Sequence, residues 1–189
     1  MSLSSSARGK RWRLAALLLP LAFLPLLVDA CLRVPTTPSV PPGLYLLTHR
    51  APVRGGWVVV CLPEDVARRG RRRGYLGAGR CPGGASEVLK RVAALPGDEV
   101  IVSPLGLVVD GQPLPRTARR ARDSAGRPLP AIPAGVYPVA PGTAWLYSDH
   151  HPRSWDSRYY GPVPLAGVRS TARLLLAAPQ CASRPGGAG

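Results

Sequence analysis

A lysine set among apolar residues is the first place in this sequence where chemistry suggests itself. The 189-residue chain carries 25 basic side chains, yet only Lys10 and Lys90 are lysines and the rest are arginines. Lys10 belongs to a basic N-terminal run where either cation would serve. Lys90 sits in Glu87-Val88-Leu89-Lys90-Arg91-Val92-Ala93-Ala94-Leu95-Pro96-Gly97-Asp98, a run that reads as a buried strand closed by a Pro-Gly-Asp turn. Arginine stays charged at any workable pH, whereas a desolvated lysine can lose its proton. Lys90 is therefore either the neutral amine of a reactive site or a lysine whose head escapes from a strand end. The local pattern alone leaves both readings standing.

Two further stretches could complete a hydrolytic site, which needs a nucleophile, a base, an orienting group and oxyanion donors. Ser39 lies in Pro35-Thr36-Thr37-Pro38-Ser39-Val40-Pro41-Pro42-Gly43, where prolines exclude helix and hold their neighbours extended. The other is the polar run 148–161, which contains Asp149, His150, His151, Ser154, Asp156 and Arg158 and is entered directly from an apolar strand. Taken singly, these are a turn serine and a polar loop. The adjacent histidines also offer a serine–histidine–aspartate triad. That is the poorer reading, since paired histidines in a polar loop are usually solvated and a triad leaves the Lys90 run unexplained.

The elements that must hold such a site read mainly as strands. A length of 189 residues suits one domain with appendages, and 23 prolines and 21 glycines favour a loop-rich β architecture. Strands are expected at 44–48, 57–62, 88–95, 99–103, 107–109, 144–148 and 168–176. The Asp110-Gly111 pair readily supplies the positive φ angles of a two-residue hairpin turn. Between strands, 63–86 reads as an irregular basic excursion and 116–133 as a polar surface insertion. Cys61 and Cys81 bracket the first, and a disulfide between them is plausible in an oxidising compartment. Pairing of Cys31 with Cys181 stays open.

The N-terminus adds a membrane expectation. Arg8, Lys10, Arg11 and Arg13 precede an apolar run over 14–28, which suits a signal peptide or a short, proline-bent anchor. Val28-Asp29-Ala30-Cys31 has small residues before a cysteine, as in a lipoprotein or signal-peptide cut, but Asp29 fits the lipoprotein pattern poorly. An uncleaved anchor is expected. The positive-inside rule then puts the rest of the chain on the outer, periplasmic face of the cytoplasmic membrane. The net charge of +15 suits an anionic lipid surface. Its arginines lack aromatic interleaving and no nucleic-acid motif is visible, so no nucleic-acid partner is expected. The expected organisation is an anchor segment over 1–30, one mostly antiparallel β domain over 31–178 and a disordered tail over 179–189.

Ser39-Val40-Pro41, the lysine run 90–98 and Ser154-Trp155-Asp156-Ser157-Arg158 stand in the order and form of the signal peptidase I superfamily. Ser39-Val40-Pro41-Pro42-Gly43-Leu44-Tyr45 resembles its conjugative-transfer, TraF-type branch, because a typical bacterial signal peptidase has methionine after its serine. The resemblance spans about residues 31–176. It implies Ser39 as nucleophile, Lys90 as general base and Ser154 as the hydroxyl that aims the amine. Thr37 would assist an oxyanion hole, and Asp156 with Arg158 would form a structural ion pair. Where the family commonly has glycine before the aspartate that opens its third conserved stretch, here Asp149, this chain has Ser148. The resemblance implies no cofactor and no metal ligand. It implies a membrane-anchored serine endopeptidase for exported precursors, a pilin-like conjugative precursor foremost, with cyclisation of the product a further option. The alternatives are a general type I signal peptidase and a non-catalytic tethered module of a transfer apparatus.

Overall fold

The computed structural model describes residues 31–35 and 37–178. The anchor segment, the tail and the Cys31–Cys181 pairing lie outside the described residues. Among those residues no helix is long and apolar enough to cross a membrane.

Among the described residues eleven of twelve strands make two sheets in which every pairing is antiparallel. The larger sheet has seven strands: β1 (Leu32–Arg33), β2 (Gly43–Thr48), β12 (Val168–Ala177), β3 (Trp57–Val60), β5 (Val88–Ala94), β10 (Thr143–Tyr147) and β11 (Val163–Pro164), in that spatial order. The smaller sheet orders β8 (Gln112–Pro113), β7 (Gly106–Val109), β6 (Glu99–Ser103) and β9 (Gly135–Pro138). The short β4 (Ala78–Cys81) lies apart from both.

The β5 strand is central, hydrogen-bonded to β3 on one side and to β10 on the other. Its neighbour β3 is Trp-Val-Val-Val, buried at every position, so both faces of the sheet are covered there. Val58 and Val60 pack on one side with Val92 and Leu146, while Trp57 and Val59 pack on the other with Val40, Tyr45 and Leu89. The two-residue period of a strand puts Lys90 on the same face as Val88 and Val92. That amine therefore points from mid-sheet into an apolar cluster.

In the smaller sheet, β6 alternates cleanly, with Val100 and Val102 buried and Glu99 and Ile101 exposed. The β7–β8 hairpin turns at Asp110 and Gly111, with φ of 46° and 77°. Those are the positive angles that Asp-Gly accommodates.

Two segments differ from their sequence reading. The excursion 63–86 contains a helix, α1 (Glu64–Arg72). Glu64 and Asp65 stand in its first turn and Arg69, Arg71 and Arg72 in its last, which complements the helix dipole. Glu64 pairs with Arg68 at 2.5 Å, one turn on. Its buried side is only Val66, Ala67 and Gly70, too small a stripe to stand out among arginines. The Cys61–Cys81 disulfide joins the two ends of this excursion.

The insertion 116–133 is anchored where a surface loop was expected to be free. Thr117 is buried, accepting from the Leu107 N–H at 3.0 Å and donating to the Leu114 carbonyl at 2.7 Å. The Asp123 carboxylate accepts from the Tyr75 hydroxyl at 2.6 Å and from Arg127 Nε at 2.8 Å. These bonds hold the Asp123 carboxyl well below the usual carboxylate range, that of Tyr75 contributing most. The insertion thus folds back over the sheet as a wall.

Candidate active site

A cleft of about 590 Å³ opens between that wall, the Ser39 passage and β5. Thr37, Ser39, Lys90, His151 and Ser154 all line it, so three segments distant in sequence converge there.

Lys90 is 4% exposed. Burial pushes its pKa down from 10.5 to about 8, partly offset by the Asp156 carboxylate and reinforced by the Arg158 guanidinium. Its Nζ donates to Ser154 Oγ at 2.5 Å. A lysine head escaping to solvent is therefore not what the structure contains. The amine is held in a dry place by a single hydroxyl, which leaves it able to exchange a proton near neutrality.

Ser39 sits beside Val40, which is buried in the cluster of Tyr45 and Leu89 and pins the passage to the sheet. Tyr45 also donates its hydroxyl to the Pro41 carbonyl at 2.9 Å. The Ser39 and Thr37 hydroxyls lie 3.0 Å apart, and either can donate. The Ser39 carbonyl accepts from the Ser148 hydroxyl. Among the described residues no hydrogen bond joins Ser39 Oγ to Lys90 Nζ. Such contacts are often long before substrate binds.

Asp156 and Arg158 form a bidentate pair, Nε to Oδ1 and Nη2 to Oδ2 both 2.7 Å, with neither side chain exposed. Asp156 also caps the short helix α2 (Ser157–Tyr160) by accepting from the Arg158 N–H. From that buried pair, bonds run to three places. Asp156 Oδ2 accepts from the Ser148 N–H at 3.2 Å, Arg158 Nη2 donates to the Ser154 carbonyl at 2.9 Å, and Arg158 Nη1 donates to the Ala118 carbonyl at 3.0 Å. One ion pair thus fixes the serine bonded to the lysine, the serine that holds the Ser39 backbone, and the cleft wall.

The histidines do not build a triad in this geometry. His151 Nδ1 accepts from the Arg153 N–H at 3.1 Å, and among the described residues neither histidine is hydrogen-bonded to Ser39. Asp149 faces Arg91 at 3.6 Å, and that guanidinium lies over the Trp57 ring, 4.7 Å from its centre.

The sequence reading missed three contributors to the site: Ser148, the wall 116–133 and the helix behind Trp155. A Cβ on Gly70 would stand 2.6 Å from the Trp155 ring, so α1 and the residue next to Ser154 touch only because position 70 is glycine. The glycine interrupting Arg68-Arg69-Gly70-Arg71 was the available signal.

A buried lysine bonded to one serine thus shares a cleft with another, and all three belong to the runs that carried the sequence resemblance. The chain belongs to the family described as Signal peptidase, peptidase S26, whose model matches residues 13–177. It is 41% identical over 146 residues to the plasmid transfer protein TraF of Escherichia coli, covering 76% of this chain and 82% of that one. The probable conjugal transfer protein TraF of Sinorhizobium fredii is 40% identical over 147 residues, 76% of each chain. A solved signal peptidase I from Enterococcus faecalis is a more partial likeness, 21% identical over 65% of this chain and 97% of that one, with a TM-score of 0.38.

Proposed function

We propose that this protein is a serine endopeptidase in which Ser39 is the nucleophile and Lys90 the general base. The observation that carries the reading is Lys90 itself, buried, with its pKa lowered to about 8 and its amine on Ser154 in the cleft that Ser39 lines. With that pKa, about a tenth of the amine is neutral at pH 7, where an ordinary lysine would be almost wholly charged.

In the first half-reaction, neutral Lys90 takes the Ser39 hydroxyl proton as Oγ attacks the scissile carbonyl. The tetrahedral oxyanion is met by the Ser39 N–H and the Thr37 hydroxyl, which turns from Ser39 Oγ to the developing charge. Collapse breaks the C–N bond, Lys90 returns the proton to the leaving amine, and an acyl-Ser39 ester remains. In the second half-reaction, Lys90 deprotonates a water that releases the new carboxylate. If the precursor's own amino terminus attacks in place of water, a peptide bond forms and the product is a ring.

The substrate is an exported precursor, and likeness to conjugal transfer proteins favours a pilin precursor of a conjugation system. An anchor over 1–30 would hold the catalytic domain at the outer face of the cytoplasmic membrane, near a substrate's own membrane segment. The test is acylation of the full-length protein by a serine-directed penem or lipopeptide probe, followed by intact-mass analysis. Labelling that is lost in Ser39→Ala and depends on Lys90 supports the reading. Equal labelling of wild type and Ser39→Ala removes Ser39 from the mechanism. Mass analysis of a co-expressed pilin precursor then separates hydrolysis from ring closure, since a ring is lighter than the linear product by one water.

A further inference from the structure

We infer that Arg120 and Arg153 form a carboxylate-binding subsite beside the scissile bond, selecting precursors that carry a negative charge close to the cut. The inference rests on the peptidase reading for its substrate, but the subsite stands on its own geometry.

Six charged residues other than Lys90 line the cleft: Arg33, Arg120, Arg122 and Arg153 against Glu87 and Asp123. Both carboxylates are already engaged. Glu87 is paired with Arg33, and Asp123 with Tyr75 and Arg127. Arg122 gives one N–H to the Gly126 carbonyl at 2.7 Å. That leaves Arg120 and Arg153. Among the described residues neither guanidinium has a carboxylate within salt-bridge distance. Their side chains donate to no protein acceptor there either, although the backbone of each is held. The Arg120 N–H donates to the Tyr159 hydroxyl at 3.0 Å and the Arg153 N–H to His151 Nδ1.

The two arginines come from separate segments, Arg120 from the insertion and Arg153 from the turn 151–154 that carries Ser154, and both line the cleft. Both act on His151, a cleft residue whose pKa is lowered by burial first and then by Arg153, His150, Arg120 and Lys90. Both therefore present positive charge to the cleft that Lys90 and His151 also line. A guanidinium presents planar paired donors that match a carboxylate, and two of them on fixed backbones make a specific receptor for one. Arginines serving only a lipid surface would lie on an outer face. These two line a walled cleft together with Ser39 and Lys90.

The experiment uses alanine-based octapeptides with a single glutamate stepped through each position, each beside its glutamine twin. A second pair ends in a free carboxylate or an amide. Binding is read by fluorescence polarisation with full-length Ser39→Ala protein, and cleavage with wild type. At one or two positions the glutamate peptide should bind and be cut about tenfold better, an advantage that shrinks in high salt. Arg120→Glu with Arg153→Glu, both exposed positions, should reverse the preference towards a lysine peptide. If only the free-carboxylate peptide gains, the subsite reads a chain terminus. No difference between twins at any position, in binding or cleavage, overturns the inference. So does a double variant that loses phosphatidylglycerol vesicle binding while its peptide preference is unchanged, because the arginines would then serve the membrane. Glutamate-selective binding with no acylation of wild-type Ser39 would instead sink the peptidase reading and leave the subsite standing.

Discussion

The hydroxyl of Ser148 donates to the backbone carbonyl of Ser39, tying the expected nucleophile to the end of β10 across 109 residues of sequence. Ser148 is fully buried, and its own N–H is held by the Asp156 carboxylate. The Ser39 passage is otherwise gripped by apolar contacts of Val40 and by the Tyr45–Pro41 bond. This hydroxyl is therefore the polar contact that sets where the Ser39 backbone stands.

Ser148→Gly, which installs the family's commoner residue, should lower kcat about tenfold, equivalent to about 1.4 kcal/mol of transition-state positioning. KM should change little, because the hydroxyl contacts protein backbone and not substrate. Acylation by a small probe should slow by the same factor as peptide cleavage. A variant that acylates at the wild-type rate would show that the tie does not position Ser39.

Lys90 carries two opposed expectations. Lys90→Met and Lys90→Arg should each reduce acylation of Ser39 by about 10²–10⁴-fold, the usual contribution of a general base. Stability should move the other way in Lys90→Met. The folded pKa of about 8 lies below the unfolded value of 10.5. Below pH 8 both states are protonated and the native state bears the whole cost of a buried ammonium, about 3 kcal/mol. That cost is relieved as pH rises from about 8 to about 10.5, where the unfolded chain still holds the proton and the native state has lost it. Urea denaturation should find Lys90→Met more stable than wild type at pH 7, with the gap closing by pH 10. A gap independent of pH would mean the amine is not desolvated.

How much of this was legible in the sequence follows from the range of the interactions involved. The three boxes are short contiguous runs, so Ser39, Lys90 and Ser154 could be read directly, as could the Asp110-Gly111 turn that local angles demand. The continuous apolar run of β3, and the apolar residues flanking Lys90-Arg91 in β5, announced buried strands for the same reason. What was hidden depends on partners far along the chain. The insertion 116–133 has no periodicity, and becomes a wall through Thr117 with Leu107, Asp123 with Tyr75 and Ala118 with Arg158. The α1 helix was obscured because its buried face is Val66, Ala67 and Gly70 amid arginines. β9 is a four-residue strand ending at Pro138, with only Tyr137 partly buried, so no alternation marked it.

The disulfide offers a test of how far α1 supports the site. Cys61 and Cys81 are 20 residues apart, and the chain-entropy account gives such a loop about 3 kcal/mol. Cys61→Ser with Cys81→Ser should lose about that much in denaturation. Trp155 is packed against Gly70 and against Tyr75, with ring centres 5.3 Å apart for the latter pair. The variant's acylation rate should therefore fall as well, by a few-fold, through the neighbour of Ser154. Stability lost with an unchanged rate would confine the disulfide to a structural role.

The Asp156–Arg158 pair is the place where the pH dependence can be dissected. Burial is the largest cause of the lowered Lys90 pKa of about 8; Asp156 raises it and Arg158 lowers it, so the two charges of the pair oppose each other. Asp156→Asn removes the raising charge and leaves the lowering one unopposed, so the acid limb of kcat/KM should move to lower pH. The same change strands a fully buried guanidinium, costing about 3–5 kcal/mol. Asp156→Asn combined with Arg158→Met removes both charges together. Its acid limb should move back up from that of Asp156→Asn, and much of the lost stability should be recovered, because replacing a whole buried pair is often nearly neutral. Its rate should nevertheless stay low, since Ser154 and Ala118 have lost the donors that fix them. A pH–rate profile and a denaturation curve for each variant would check this directly. An acid limb that stays in place in Asp156→Asn, in a folded protein, would mean that the group titrating in the profile is not Lys90.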